Sequence, residues 1–341
     1  MDGKRLGRQT VRLSRPPVII GWGSAAGRKE GRGPLKAAFD FTAGDDSLGK
    51  KTWEQAETAF QEKALGLALE RAGLRGEDLD CLLAGDLLNQ CIASAYHARR
   101  AGVPFLGLYG ACSTMAEGLA LAACLLDGGY ADRAAAMTSS HFCTAERQYR
   151  NPLEYGGQKP PTAQWTATGA GAVILARKGA GPRITHVTLG RVVDKGITDV
   201  GNMGAAMAPA AYDTIRAHLA DTGRSPAEYD RIVTGDLGSL GRAIVEDFFR
   251  QDGVDLGRVF QDCGVLLFDA GAQDVHAGGS GCGCSALVLT GLLLNEMSAG
   301  KLDRLLFCGT GALHSPTSAM QGESIPGICH AVAIEYGEGN P

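Results

Sequence analysis

The sequence predicts an α/β protein built from two similar halves, on three observations. Short apolar runs alternate with stretches of helical spacing along the chain, one such pattern recurs in each half, and 49 glycines cluster in short runs. Alternating strands and helices imply parallel sheets covered by helices, and the glycine runs imply tight turns and close backbone approach rather than a linker. A length of 341 residues suits two packed halves or one large α/β unit.

Residues 1–16 form a basic extension with Lys4, Arg5, Arg8, Arg12 and Arg15. It lacks the apolar segment of a secretory signal and reads as a solvated terminus with a weak attraction for anionic lipid. The first half spans 17–178. PVIIGWG (17–23) reads as a buried strand. WEQAETAFQEKALGLALER (53–71) is a helix with Ala56, Phe60, Ala64, Leu67 and Ala68 on one face. LDCLLAG (79–85), ADRAAAMTSS (131–140) and GAGAVILAR (169–177) read as further strands. The second half, 179–341, opens with ITHVTLGRVVD (184–194). A helix follows around 209–219, then the strand DRIVTGD, the helix GRAIVEDFFRQ and a final strand HAVAIEY.

The repeat is clearest between Cys112–Ser140 and Cys282–Ala312. Each is a small-residue turn, an apolar helix, a polar turn, an Asp-Arg pair and an apolar strand. Cys112 lies 21 positions before Arg133, and Cys282 lies 22 before Arg304. In the first copy, GLYGACSTMAEGLALAACLLDGG, Thr114 and Glu117 fit a capping box. Met115, Leu119, Ala122 and Leu126 fit a buried face, and Asp127-Gly-Gly a stop. Cys112 then sits at or just before a helix N-terminus, where backbone N–H groups favour a thiolate and Glu117 partly opposes it.

Composition narrows the function. The formal net charge of -4 and 6% aromatic residues argue against a nucleic-acid surface. Ten cysteines with no CxxC pair and no secretory signal predict reduced thiols in a cytoplasmic compartment. The lone CxC of Cys282 and Cys284 reads as tight loop packing rather than a metal site. No uninterrupted apolar run reaches the roughly 20 residues of a membrane span. GWGSAAG (21–27) is not a G-x-G-x-x-G fingerprint, and GTGALHSPTS reads as a strand-end turn rather than a phosphate loop.

A two-half α/β repeat with a cysteine on a strand–turn–helix resembles the thiolase and ketoacyl synthase superfamily. That resemblance implies a five-layer αβαβα fold and a homodimer. It sets His276, in DVHAGGSGCG, near the histidine of the thiolase pattern HPxGxSG, and Cys308, in LLFCGTGA, near the second thiolase cysteine. Within the superfamily, KTWEQAE, LLAGDLLNQ, YGACSTMAEGLALA, TSSHFCTAERQYRNPLEYGGQKPPTAQWTATGAGAVIL, HAGGSGCGCSA and SPTSAMQGESIPGICHAVAIE resemble the stage V sporulation protein AD family.

The chain departs from the condensing enzymes where they place their second catalytic group. Where ketoacyl synthases of the third type carry a histidine, IVTGDLGS (232–239) offers Gly235 or Asp236. The loop GGSGCGC also lacks their asparagine. Losing one oxyanion donor typically costs about 100- to 1000-fold in rate. The expectation is a noncatalytic protein whose ligand, implied by the sporulation resemblance, is dipicolinic acid (pyridine-2,6-dicarboxylate). Calcium would enter only as the dipicolinate chelate, with no other cofactor and no metal site.

The same resemblance implies a role in sporulation and germination beside membrane proteins of the same operon. The chain would sit at the spore inner membrane without spanning it. Strand ends and the loops after them supply the candidate ligand residues Asp86, Cys112, His141 and His276. Asp86 reads equally as a helix cap, His141 as a core histidine bonded to backbone, and His276 as a turn residue. Arg147, Arg150 and Lys159, on the long loop 146–165, would cover the pocket, join a dimer contact or face solvent. Two alternatives remain: an active acyltransferase with Cys112 as nucleophile supported by His276, and a scaffold whose pocket is vestigial.

Overall fold

The structure is a computed structural model and describes residues 4–149 and 158–336. The first half contains β1 (Thr10–Arg12), β2 (Val18–Ala26), β3 (Phe41–Thr42), α1 (Trp53–Ala72), β4 (Cys81–Gly85), α2 (Ile92–Ala101), β5 (Phe105–Gly107), α3 (Thr114–Gly128), β6 (Arg133–Ser140), α4 (Phe142–Tyr149), β7 (Trp165–Thr166) and β8 (Gly169–Ala176). The second contains β9 (Arg183–Thr188), α5 (Met203–Thr222), β10 (Arg231–Thr234), α6 (Gly238–Gln251), β11 (Phe260–Asp262), α7 (Cys263–Leu267), β12 (Gly279–Ser280), α8 (Cys282–Val288), α9 (Leu294–Ser298), β13 (Arg304–Ala312), α10 (Pro316–Met320) and β14 (Gly327–Glu335).

The strand order runs β5-β4-β6-β8-β2 and then, in reverse, β9-β14-β13-β10-β11. Each half therefore repeats one arrangement, and the two meet where Val18 pairs with Arg183. Helix α1 packs on β2, β8 and β6, and α5 packs on β14 and β13. Between the sheets lie α3, against β6, β4, β13 and β14, and α8, against β8 and β6. The layers are thus αβαβα.

The sheets are mixed, where alternation of strands and helices predicted parallel ones. β4, β5 and β6 run parallel, as do β10, β11 and β13, but β8 is antiparallel to β6 and β2, and β14 to β13 and β9. The cause is connectivity. A parallel neighbour requires a crossover that carries the chain back along the sheet. The excursion after β6 instead returns at the same end, pairing Ser140 with Gly169. The excursion after β13 does likewise, pairing Ala312 with Gly327.

Apolar burial follows the layers. Met115, Leu119, Ala122 and Leu126 of α3 are all buried in the central cluster, with Leu287, Leu293 and Met297 from the α8–α9 rod. The segment Ala111–Gly128 is long and apolar enough to cross a membrane by length and composition, but here it is the core helix between two sheets. Its start differs from the expected capping box. Ser113 is the cap residue and makes no side-chain cap bond, while the Thr114 hydroxyl donates backwards to the Ala111 carbonyl at 2.6 Å. A 3-10 turn, Ala111–Ser113, fills the place where the box would form.

Candidate functional site

A cavity of about 320 Å³ opens between the halves, with Cys112 in its wall. The 3-10 turn places that cysteine, and Ala111 adopts a left-handed φ of 49° to enter it. Strand β13 braces the turn from behind. A Cβ on Gly311 would lie 2.8 Å from the Gly110 carbonyl oxygen and 3.0 Å from the Ser113 nitrogen. One on Gly309 would lie 2.9 Å from the Ser113 carbonyl. The alternating glycines of CGTGA thus let the turn rest on the strand's backbone.

Asp236, just beyond β10, is fully buried and reaches the same point from the second half. Its carboxylate accepts from the Thr310 hydroxyl at 2.8 Å, the Ser280 hydroxyl at 3.1 Å and the Gly281 N–H at 2.9 Å. Burial, then the neighbouring Asp236 charge, pushes the Cys112 thiol well above its ordinary range. The expectation that a helix N-terminus would favour the thiolate is therefore reversed. Desolvation and an adjacent carboxylate outweigh the turn's N–H groups.

The other expected residues divide. Asp86 is buried and accepts from the Leu88 N–H at 2.9 Å and from the Ser94 N–H and hydroxyl at 2.8 and 2.7 Å. It acts as a local cap behind the cavity wall, to which its neighbour Leu87 contributes. His141 is buried too. Its Nδ1 accepts from the Cys143 N–H and its Nε2 donates to the Asp46 carbonyl, each at 3.1 Å, and burial lowers its pKa so that the ring stays neutral. His276, at φ 52°, lies 3.6 Å from the Asp274 carboxylate and is not among the described residues lining the cavity. Arg147 pairs with Glu54 away from the cavity, and Arg150 lies outside the described residues.

Lys159 does line the cavity, 2.5 Å from the Glu146 carboxylate. Of the remaining cysteines, Cys282 is buried, its thiol 3.0 Å from the Ala111 carbonyl, and Cys284 is packed in the central core. Cys308 faces the outer core of the second half beside Cys329, not the cavity. The GTGA stretch is the end of β13 rather than a turn.

Sequence reasoning missed several wall residues. Tyr149 and His314 face one another at 5.6 Å between ring centroids, and the Tyr149 hydroxyl donates to the Leu87 carbonyl at 2.6 Å. Gln164 donates through Nε2 to the Asp236 and Gly279 carbonyls, both at 2.7 Å, and its buried Oε1 has no hydrogen-bond partner among the described residues. Met203 and Met207 supply an apolar wall from α5. These residues come from four separate segments, so no local motif joins them.

The fold is shared with solved structures of low sequence identity. A 3-oxoacyl-(acyl carrier protein) synthase III from Pseudomonas aeruginosa PAO1 is 17% identical with a TM-score of 0.57, covering 96% of this chain and 100% of that one. The synthase III from Aquifex aeolicus VF5 is 16% identical with a TM-score of 0.56, covering 94% and 100%. A variant of OleA from Xanthomonas campestris is 18% identical with a TM-score of 0.61, covering 95% and 99%.

Sequence similarity is far stronger elsewhere. Stage V sporulation protein AD from Bacillus subtilis (strain 168) is 48% identical over 336 residues, covering 98% of this chain and 99% of that protein. The family model for stage V sporulation protein AD matches residues 7–335. On that match, this thiolase-like chain belongs to the stage V sporulation protein AD family.

Proposed function

We propose that the Cys112 cavity binds a ligand without reacting with it, and that the ligand is dipicolinic acid, free or as its calcium chelate. The buried Asp236 carboxylate, whose charge together with burial pushes the Cys112 thiol up, carries this reading. A condensing enzyme needs a thiolate and open N–H donors for the oxyanion. Here the carboxylate opposes the thiolate and occupies the Gly281 N–H, while the Gln164 amide is committed to backbone carbonyls. The space that an acyl group would need remains, with apolar walls from Leu87, Met203 and Met207 and the polar groups of Lys159 and Ser280. Small-molecule sites have this character, and a flat aromatic dicarboxylate suits it. The sporulation family supports the choice of ligand.

In this reading the protein, as a homodimer, serves membrane proteins of the same operon at the spore inner membrane, moving the ligand during sporulation and germination. Calorimetry of the purified chain with dipicolinate, with and without calcium, tests it. Saturable binding that weakens in Cys112→Ala supports the reading, and no binding under either condition removes it. The fold's likeness to 3-oxoacyl synthases keeps a second reading, an acyltransferase, in view. A mass increase on Cys112 after incubation with acyl-CoA would favour that reading. Absence of both binding and acylation would leave a scaffold.

A further inference from the structure

Lys159 is a nearly buried ammonium in the cavity wall. Its side chain is 16% exposed and that of its partner Glu146 is 12% exposed, with 2.5 Å between Nζ and Oε1. Both residues line the cavity. The ammonium also lies 5.0 Å from the Phe142 ring centroid and 5.4 Å from that of Trp165. Those two rings stack at 3.9 Å and 9°. Trp165 is fixed through β7, whose strand pairs with β12, and Gln164 and Thr166 on either side of it also line the cavity. Lys29 lies 3.3 Å from the Trp165 centroid and donates to the Asp274 carbonyl at 2.8 Å. The aromatic pair therefore has its own anchor and holds the Lys159 ammonium by cation–π attraction.

A cation removed from water needs a compensating charge, and the aromatic faces supply only part of it. Glu146 supplies the rest from α4. An ion pair that served only to tie α4 to the 158–164 segment would have no need to face the cavity. Among the described residues lining it, Lys159 is the one permanent cation, since burial lowers the pKa of the other basic group, His314. A carboxylate entering the cavity has this ammonium as its natural partner.

We infer that Lys159 is the carboxylate-reading residue of the Cys112 cavity, positioned by the Phe142–Trp165 stack, with Glu146 as the internal carboxylate that a ligand competes with. This rests on the ligand-binding reading of the cavity and adds to it a residue and a cost. The ligand's affinity is reduced by the interaction it must replace, so removing the Glu146 charge strengthens binding while removing the Lys159 charge weakens it. A structural brace behaves otherwise, because loss of either partner then harms the site alike.

The test has two arms. In the first, dipicolinate is titrated calorimetrically into the wild-type chain, Lys159→Met, Lys159→Arg, Glu146→Gln and the double variant Lys159→Met with Glu146→Gln. The expected order is Glu146→Gln tighter than wild type, Lys159→Arg close to it, and both Lys159→Met chains weaker by about tenfold or more. Wild-type affinity in both Lys159→Met chains, or weaker binding in Glu146→Gln, overturns the inference and leaves the ligand reading standing.

In the second arm, pyridine-2-carboxylate is titrated while tryptophan fluorescence is followed, with Trp165→Phe identifying the signal of the stacked ring. A saturable change that disappears in the double variant supports Lys159 as a carboxylate reader even if dipicolinate does not bind. Absence of any change from either compound in the wild-type chain overturns both readings.

Discussion

Burial and the charge of Asp236, acting across the junction of the two halves, push the Cys112 thiol well above its ordinary range. A cysteine in a nucleophile's position is thereby held as a neutral thiol. Alkylation by iodoacetamide at pH 8 is expected to reach exposed Cys124 well before Cys112. Asp236→Asn keeps the shape but removes the charge, and is expected to speed Cys112 alkylation by about tenfold, the equivalent of one unit of pKa. Peptide mass mapping over time measures both rates. Faster modification of Cys112 than of Cys124 in the unaltered chain would contradict the assignment.

A second prediction concerns Glu57, a fully buried residue of α1. Its Oε1 accepts from the Ser139 hydroxyl at 2.9 Å, and its Oε2 lies 2.8 Å from the Thr144 hydroxyl. Thr144 also donates to the His141 carbonyl at 2.9 Å, and one proton cannot serve both. A protonated Glu57 that donates to Thr144 resolves the conflict. Burial, then the charge of Asp86, raises its pKa from 4.5 to about 8. The folded chain therefore binds a proton between pH 4.5 and about 8 that the unfolded chain has lost, so this group's contribution falls as pH rises through that window. Glu57→Gln is expected to flatten the loss of stability toward pH 8, as measured by urea unfolding at several pH values. An unchanged alkaline slope would sink the assignment.

Both acids show where the sequence is legible and where it is not. The apolar face of α3 and the strands of β2, β6 and β13 follow from spacing alone, because local periodicity decides which side faces the core. The reversed direction of β8 and β14 does not follow, because it depends on where a long excursion returns. At the site, Cys112 is marked by its turn before an apolar helix. Asp86 and His141 are marked as polar strand-end residues, but their side chains turn back to local backbone partners. Tyr149, Gln164 and His314 carry no mark, since only the packing of distant segments brings them to one wall.

A third prediction uses the support beneath the turn. Gly311→Ala places a methyl 2.8 Å from the Gly110 carbonyl oxygen, against backbone that has little room to move. The turn and Cys112 must shift toward the cavity. The expected cost is about 1–3 kcal/mol in unfolding free energy, typical of overpacking, together with weaker ligand binding. Gly44→Ala, where an added methyl meets nothing within 4 Å and φ is not left-handed, serves as the control. Loss of stability in Gly311→Ala with unchanged binding would show that the turn does not depend on this brace.

A fourth prediction places the acid limit of stability at Glu335, the last residue of β14. Burial opposes its charge, but the His186 ring 3.8 Å away and hydrogen bonds from Arg224 and Thr185 outweigh it and hold the carboxyl well below the usual range. The Arg224 contact is 2.7 Å between side chains 19% and 13% exposed, and Arg304 adds a second at 3.3 Å. A depressed pKa gives stability that is present above the unfolded value of 4.5 and lost as pH falls. This is opposite in sign to Glu57, so the two acids bound a stability maximum from either side. Glu335→Gln is expected to remove most of the loss below pH 4.5 while lowering stability at pH 7. Arg224→Met, which leaves the carboxylate with the longer Arg304 contact and the Thr185 hydroxyl, is expected to cost on the order of 2 kcal/mol at pH 7. Because protonation of Glu335 relieves that cost, the Arg224→Met penalty should shrink as pH falls. A penalty that stays constant from pH 7 to pH 3 would mean that Arg224 acts by packing rather than by charge.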